Sequence, residues 1–145
     1  MRVQGLRRTA LTVGVLICAG VTSAAADPKG LWKAKDGGTI RIAACGKALC
    51  GYLASVVPRL DPETRKPWTD KRNPDPSKRS RPVIGLMALI SMLLESPGKW
   101  TGKLYNYEDG QTYDGHIIEQ GPNNVRVEGC AAPGLCGGDD LTRVR

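Results

Sequence analysis

From residue 39 to residue 44 apolar and polar side chains alternate, with Ile40 and Ile42 on one face and Thr39 and Arg41 on the other. A period of two is what a half-buried β-strand requires, because successive side chains leave opposite faces of the backbone. The same pattern recurs downstream. Trp100, Gly102 and Leu104 share a face; Tyr113, Gly115 and Ile117 oppose Asp114, His116 and Ile118; Val125 and Val127 oppose Arg126 and Glu128. Shorter β-compatible runs lie at 31–34 and 49–57, and a last strand is expected over 141–145 after a glycine-rich corner. Turn chemistry separates these runs: Asp36-Gly37-Gly38, the corner from Cys45 to Cys50, Glu108-Asp109-Gly110, and Gly121-Pro122-Asn123-Asn124. Short strands with tight turns between them predict an antiparallel sandwich or barrel, mainly β.

Two stretches break the rhythm. Residues 58–82 hold six of the ten prolines, and 12 of the 23 residues from 59 to 81 are charged. No regular element tolerates that proline density, so a long loop is expected, and loops of such length in compact domains serve function or are disordered. Residues 83–94 are almost wholly apolar. Periodicity does not separate a buried strand from a helix there, but the helix formers of 87–95 before Pro97-Gly98 favour a short helix or a mixed segment.

The N-terminus reads differently from the rest. Arg2, Arg7 and Arg8 precede an uncharged run over 9–26 that closes on Ala24-Ala25-Ala26. Basic, apolar and small-residue regions in that order form a secretion signal, and the run is too short for a permanent span. Cleavage is expected after Ala26, which discards Cys18 and leaves 119 residues, 27–145, as one domain. The formal charge falls from +7 to +4 with the three arginines, which argues against a nucleic-acid partner. The mature chain has no membrane span and belongs in the periplasm, where thiols oxidise.

Four cysteines remain there, Cys45, Cys50, Cys130 and Cys136. Local pairing, Cys45 with Cys50 and Cys130 with Cys136, is the preferred of three connectivities, since both pairs flank glycine-containing corners. Each such tight loop removes about 2 kcal/mol of unfolded-state freedom. A four-thiolate zinc site is disfavoured by the spacing, and no metal or cofactor is expected.

Within the long loop, Asp70, Asn73, Asp75 and Ser77 gather oxygen donors, but the acidic spacing is not that of an EF-hand and Lys71, Arg72, Lys78, Arg79 and Arg81 surround them. Pairing of Asp70 and Asp75 with arginines and a turn at Asn73-Pro74 is the simpler expectation, with an anion site on Arg79 and Arg81 left open. His116 is the sole histidine, and no serine sits in a nucleophile elbow. With no phenylalanine in the chain, Trp32 and Trp100 are expected in the core, while Tyr105 and Tyr113 flank one turn and would line a mouth.

Taken together, Gly30-Leu31-Trp32, Leu49-Cys50-Gly51, Thr69-Asp70, Asn73-Pro74-Asp75, Arg79, Arg81-Pro82, Gly85-Leu86, Trp100-Thr101-Gly102, Tyr105, Glu108-Asp109-Gly110, Thr112-Tyr113 and Thr142-Arg143-Val144 resemble the exported bacterial family of domain of unknown function 2147. The resemblance spans nearly the whole mature chain. It implies a small antiparallel lipocalin-like β-barrel in the periplasm with no established activity. It also implies that Trp32 on the first strand and Arg143 on the last close the barrel base, a cation–π contact worth about 1 kcal/mol. Asn106-Tyr107, Leu141, the Cys130 and Cys136 pair, and Gly138-Asp139-Asp140 depart from the family's usual run.

The expected function is non-enzymatic binding of a small apolar or amphipathic ligand, or an envelope component, at a mouth covered by the 58–82 loop. The candidate site is Asp70, Asn73, Asp75, Arg79, Arg81, Tyr105 and Tyr113. The alternatives are an envelope-modifying enzyme using those loop residues and a protein interaction module.

Overall fold

A computed structural model describes Gly20 and residues 27–145. The expected signal segment and Cys18 lie outside the described residues, Gly20 apart. Eight strands follow one another: β1 Gly30–Lys33, β2 Thr39–Cys45, β3 Ala48–Ser55, β4 Met87–Ser96, β5 Lys99–Asn106, β6 Gln111–Gly121, β7 Asn124–Ala132 and β8 Leu135–Arg143. Each pairs antiparallel with the next, and β8 returns to β1, so the sheet closes into a barrel. Trp32, Ile42, Leu89, Met92, Ile117 and Val125 fill its interior with essentially no exposure.

The helix expected over 87–95 is a strand, β4. Its alternation fails because it bulges. Leu89 and Leu93 on β4 face Leu104 and Thr101 on β5, so four steps on one strand answer three on the other, and Ser91 takes a left-handed φ of 50° at the irregularity. A second shift against β3 sets Met87 opposite Tyr52 but Leu89 opposite Gly51. Ala88, Leu89 and Met92 therefore turn inward at a spacing that imitates a helix. Among the described residues the only helical piece is the 3-10 turn Pro76–Lys78, capped by the Asp75 carboxylate on the Ser77 amide.

The last strand is also longer than expected. The glycine-rich segment before residue 141 is no corner: Gly137 and Gly138 lie within β8, opposite Gly129 and Glu128. Glycine there serves the wall of the barrel. Gly102, Gly115, Gly129 and Gly137 face one another in register across β5 to β8, a row of four without inward side chains. A Cβ on Gly102 would lie 2.5 Å from the Ile90 carbonyl and one on Gly115 2.9 Å from the Leu104 amide, so the wall bends too tightly there for any side chain. At Gly137 a Cβ would meet nothing within 4 Å. The row thus runs from a tight bend into open space.

The two ends of the barrel differ. At the base, where β1 begins and β8 ends, the Arg143 guanidinium lies 4.3 Å from the Trp32 ring centre. It also donates to the carbonyls of Asp27 (2.7 Å), Lys29 (2.8 Å) and Pro122 (3.2 Å), and the Trp32 indole donates to Pro28 (2.7 Å). Gly30 permits this closure twice over: its φ is +136°, and a Cβ would sit 2.8 Å from the Arg143 guanidinium. The opposite end, the mouth, carries the β1–β2 turn, the 56–86 segment and the β5–β6 turn. β1 and β8 share only the register pairs Trp32 with Arg143 and Lys33 with Thr142, so toward the mouth β8 runs on without β1 beside it.

Candidate functional site

The long segment folds into an ordered brace. The Asp70 amide bonds the Arg81 carbonyl (3.0 Å) and the Val83 amide the Trp68 carbonyl (3.0 Å), which draws the two limbs together. Between them the Asp70 carboxylate is completely buried. One oxygen accepts the Tyr105 hydroxyl at 2.5 Å; the other accepts Asn73 Nδ2 at 2.8 Å and Arg81 Nε and Nη2 at 2.8 Å each. Asn73 Nδ2 also reaches the Tyr105 oxygen at 3.1 Å, and Arg81 lies 5.9 Å from the Tyr105 ring centre. Burial, and then the hydrogen bond to Asp70, push the Tyr105 hydroxyl up to about 12. A buried carboxylate is tolerable only when paired and hydrogen-bonded, and both oxygens here accept a donor.

The remaining predicted loop residues surround this knot. Asn73 Oδ1 accepts the Asp75 amide (2.9 Å), Asp75 accepts the Ser77 amide and hydroxyl, and Arg79 Nε donates to the Asn73 carbonyl (2.8 Å). The Ser77 hydroxyl bond chiefly holds the Asp75 carboxyl below its ordinary value. Asp75 reaches Lys78 at 3.8 Å rather than an arginine. The oxygen donors that suggested a cation are thus spent on one another. Tyr113 stands apart, its hydroxyl on Asp109 at 2.6 Å, a bond that raises its pKa. His116 lies on the outer wall, with Nδ1 3.2 Å from Thr101 Oγ1, while its neighbour Asp114 pairs with Lys103.

Residues outside the predicted candidate site fix the brace to the barrel. Trp68 meets Tyr107 edge-on at 5.8 Å and donates to the Pro58 carbonyl (2.9 Å); Arg72 donates to the Glu108 carbonyl (2.7 Å). Gly110 packs on the Arg72 backbone with no room for a Cβ. Lys71 bridges Asp61 and Glu63, and its hydrogen bond is the main reason Asp61 stays ionised below its ordinary value. Tryptophan and lysine in a charged loop give no periodic signal, so only the folded chain reveals these contacts.

Beside the brace the mouth is hollow. A cavity of about 320 Å³ enters the barrel between the β1–β2 turn, the end of β5 and β8. Ile40, Leu53, Leu89, Leu104, Val127 and Leu141 form its apolar wall, and Asp36, Tyr105, Tyr107, Glu108 and Asp139 its polar edge. No residue of 58–82 lines it; that segment's flank contributes only Val56 and Val57. The expectation of a loop covering the mouth is therefore corrected: the loop stands behind the wall, holding Tyr105 and Tyr107 in place. A second depression of about 420 Å³, lined by Tyr113, Ala131 and Leu135 among others, shares Leu104, Asn106 and Gly137 with the first.

Both predicted cysteine pairs stand at disulfide distance, 2.05 Å for Cys45 with Cys50 and 1.94 Å for Cys130 with Cys136. The first lies at the base-side β2–β3 turn and the second near the mouth, bridging directly opposed residues of β7 and β8. Nothing in that placement brings four thiolates together.

A closed eight-stranded antiparallel barrel, sealed at one end by tryptophan and arginine and hollow at the other, is lipocalin-like. The chain belongs to the bacterial family described as "Uncharacterized protein conserved in bacteria (DUF2147)", whose model matches residues 30–143. The fold is similar to a solved structure described as "Protein HP1028 from the human pathogen Helicobacter pylori belongs to the lipocalin family", with a TM-score of 0.69 and 18% identity over 83% of this chain and 84% of that one. No curated protein matches the chain.

Proposed function

We propose that the protein is an exported, periplasmic, non-enzymatic barrel that holds a small apolar or amphipathic molecule in the mouth cavity. The observation that carries this reading is a hollow of about 320 Å³ walled by apolar side chains above a fully packed base. Small-molecule sites are concave, mostly apolar and largely preformed, with volumes from about 300 Å³ upward. Export rests on the basic, apolar and Ala24-Ala25-Ala26 order of the N-terminus, and it agrees with two cysteine pairs poised to oxidise.

An enzyme built on the loop residues has less to stand on. Asp70, Asn73, Arg81 and Tyr105 do converge, but each is committed to the others, and the Asp70 carboxylate has no accessible surface from which to meet a substrate.

The test is fluorescence of N-phenylnaphthylamine, an apolar dye that brightens in dry sites, added to the secreted protein. Saturable binding is expected in the wild type. Gly137→Leu, which fills open space next to the cavity without disturbing a left-handed backbone, should weaken it at least about tenfold. Dye binding that Gly137→Leu leaves unchanged would refute the site.

A further inference from the structure

Resting on that reading, we infer that the cavity selects a cationic amphipath, a molecule with an apolar body and an amine or quaternary ammonium head. The chain carries a formal +7, and +4 without residues 1–26, yet every charged residue lining this cavity is acidic: Asp36, Glu108 and Asp139 line it, with no lysine, arginine or histidine. A basic surface around an acidic opening is the reverse of what chance exposure would give.

The register of β7 and β8 shows why Asp139 is placed to meet a ligand. Asp139 lies opposite Val127 and Leu141 opposite Val125, so Asp139 shares the inward face with residues packed on the core. Its neighbour Asp140 faces outward and is neutralised by Arg126 at 3.2 Å. Among the described residues neither the Asp139 nor the Glu108 carboxylate has an ion-pair partner. Arg72 Nη1 donates to the Glu108 backbone carbonyl at 2.7 Å and forms no ion pair with the Glu108 carboxylate. Glu108 and Asp36 act on the cavity, since after burial their charges are what raise the Tyr107 hydroxyl, up to about 12. Tyr107, held edge-on by Trp68, adds an aromatic surface suited to an ammonium group. Below this ring of negative charge the wall is apolar down to Leu89, which receives the alkyl part.

The chemistry separates ligands by head group at constant tail. Dodecyltrimethylammonium, dodecanol and dodecanoate are each titrated, below micelle-forming concentrations and at low salt, against protein loaded with N-phenylnaphthylamine. The ammonium compound should displace the dye at about tenfold or more lower concentration than the alcohol, and the carboxylate should be weakest. In Glu108→Gln/Asp139→Asn the ammonium advantage over the alcohol should shrink to less than about twofold, and added salt should erode it in the wild type. Equal displacement by all three compounds would overturn the charge selection while leaving the apolar cavity intact. Failure of the wild type to bind the dye at all would overturn the cavity reading and this inference with it.

Discussion

Two aspartates near the same mouth have opposite surroundings. Asp70, inside the brace, is buried completely and holds Tyr105, Asn73 and Arg81 on its two oxygens. Asp139, on β8, faces the hollow, is exposed, and has no ion pair among the described residues. The first is a carboxylate whose electrostatic demand the protein itself has met. The second has no such partner, and in the proposed function it is the ligand that supplies one. Conspicuous polar chemistry here is architecture, whereas the inconspicuous β8 edge is where a ligand would meet the chain.

The comparison breaks first if Asp70 proves expendable. Asp70→Ala leaves Arg81, Asn73 and Tyr105 facing an emptied site and should cost about 3 kcal/mol in urea unfolding, the usual penalty for removing one partner of a buried charge pair. Retained stability would mean that the brace does not hold the barrel. Next in size, replacing Cys130 and Cys136 with serine should cost about 2 kcal/mol, because a closed loop of this length restricts the unfolded chain by that order. Tyr105→Phe removes one donor while Asp70 keeps its others, so about 1 kcal/mol is expected.

A pH experiment sharpens the same contrast. Tyr105 and Tyr107 bind their protons more tightly in the fold, at about 12, than the ordinary value of 10.0. Stability from these two phenols is therefore whole below pH 10 and is lost as pH rises toward 12, where the unfolded chain ionises first. Absorbance titration of phenolate should show Tyr105 and Tyr107 lagging, and Tyr105→Phe should remove one lagging group. The smallest effect falls on the other side of the mouth. Gly137→Leu should alter unfolding free energy by no more than about 0.5 kcal/mol, since its side chain enters vacant space.

Much of the architecture was legible because alternation survives where strands are regular. Ile40 with Ile42, Trp100 with Leu104 and Val125 with Val127 each face inward as their period required. The pattern misled where the backbone departed from that period. Bulges in β4 carried Leu89 and Met92 inward at a helical spacing, and Gly137-Gly138 read as a corner because glycine's composition signal cannot distinguish a turn from a tightly curved wall. Extending the last strand backward from Leu141 with a period of two reaches Asp139 and Gly137, the cavity side of β8, so that signal was present and the strand boundary concealed it. Trp68, Arg72 and Tyr107 had no such signal. Their contacts join segments far apart in the chain, and only closure of the barrel brings them together.

Backbone amide chemical shifts recorded while dodecyltrimethylammonium is titrated into the secreted protein test the central contrast most directly. Movement is expected at 34–38, 104–108 and 137–141, with 70–81 still. Shifts concentrated at 70–81, with 137–141 unmoved, would contradict it.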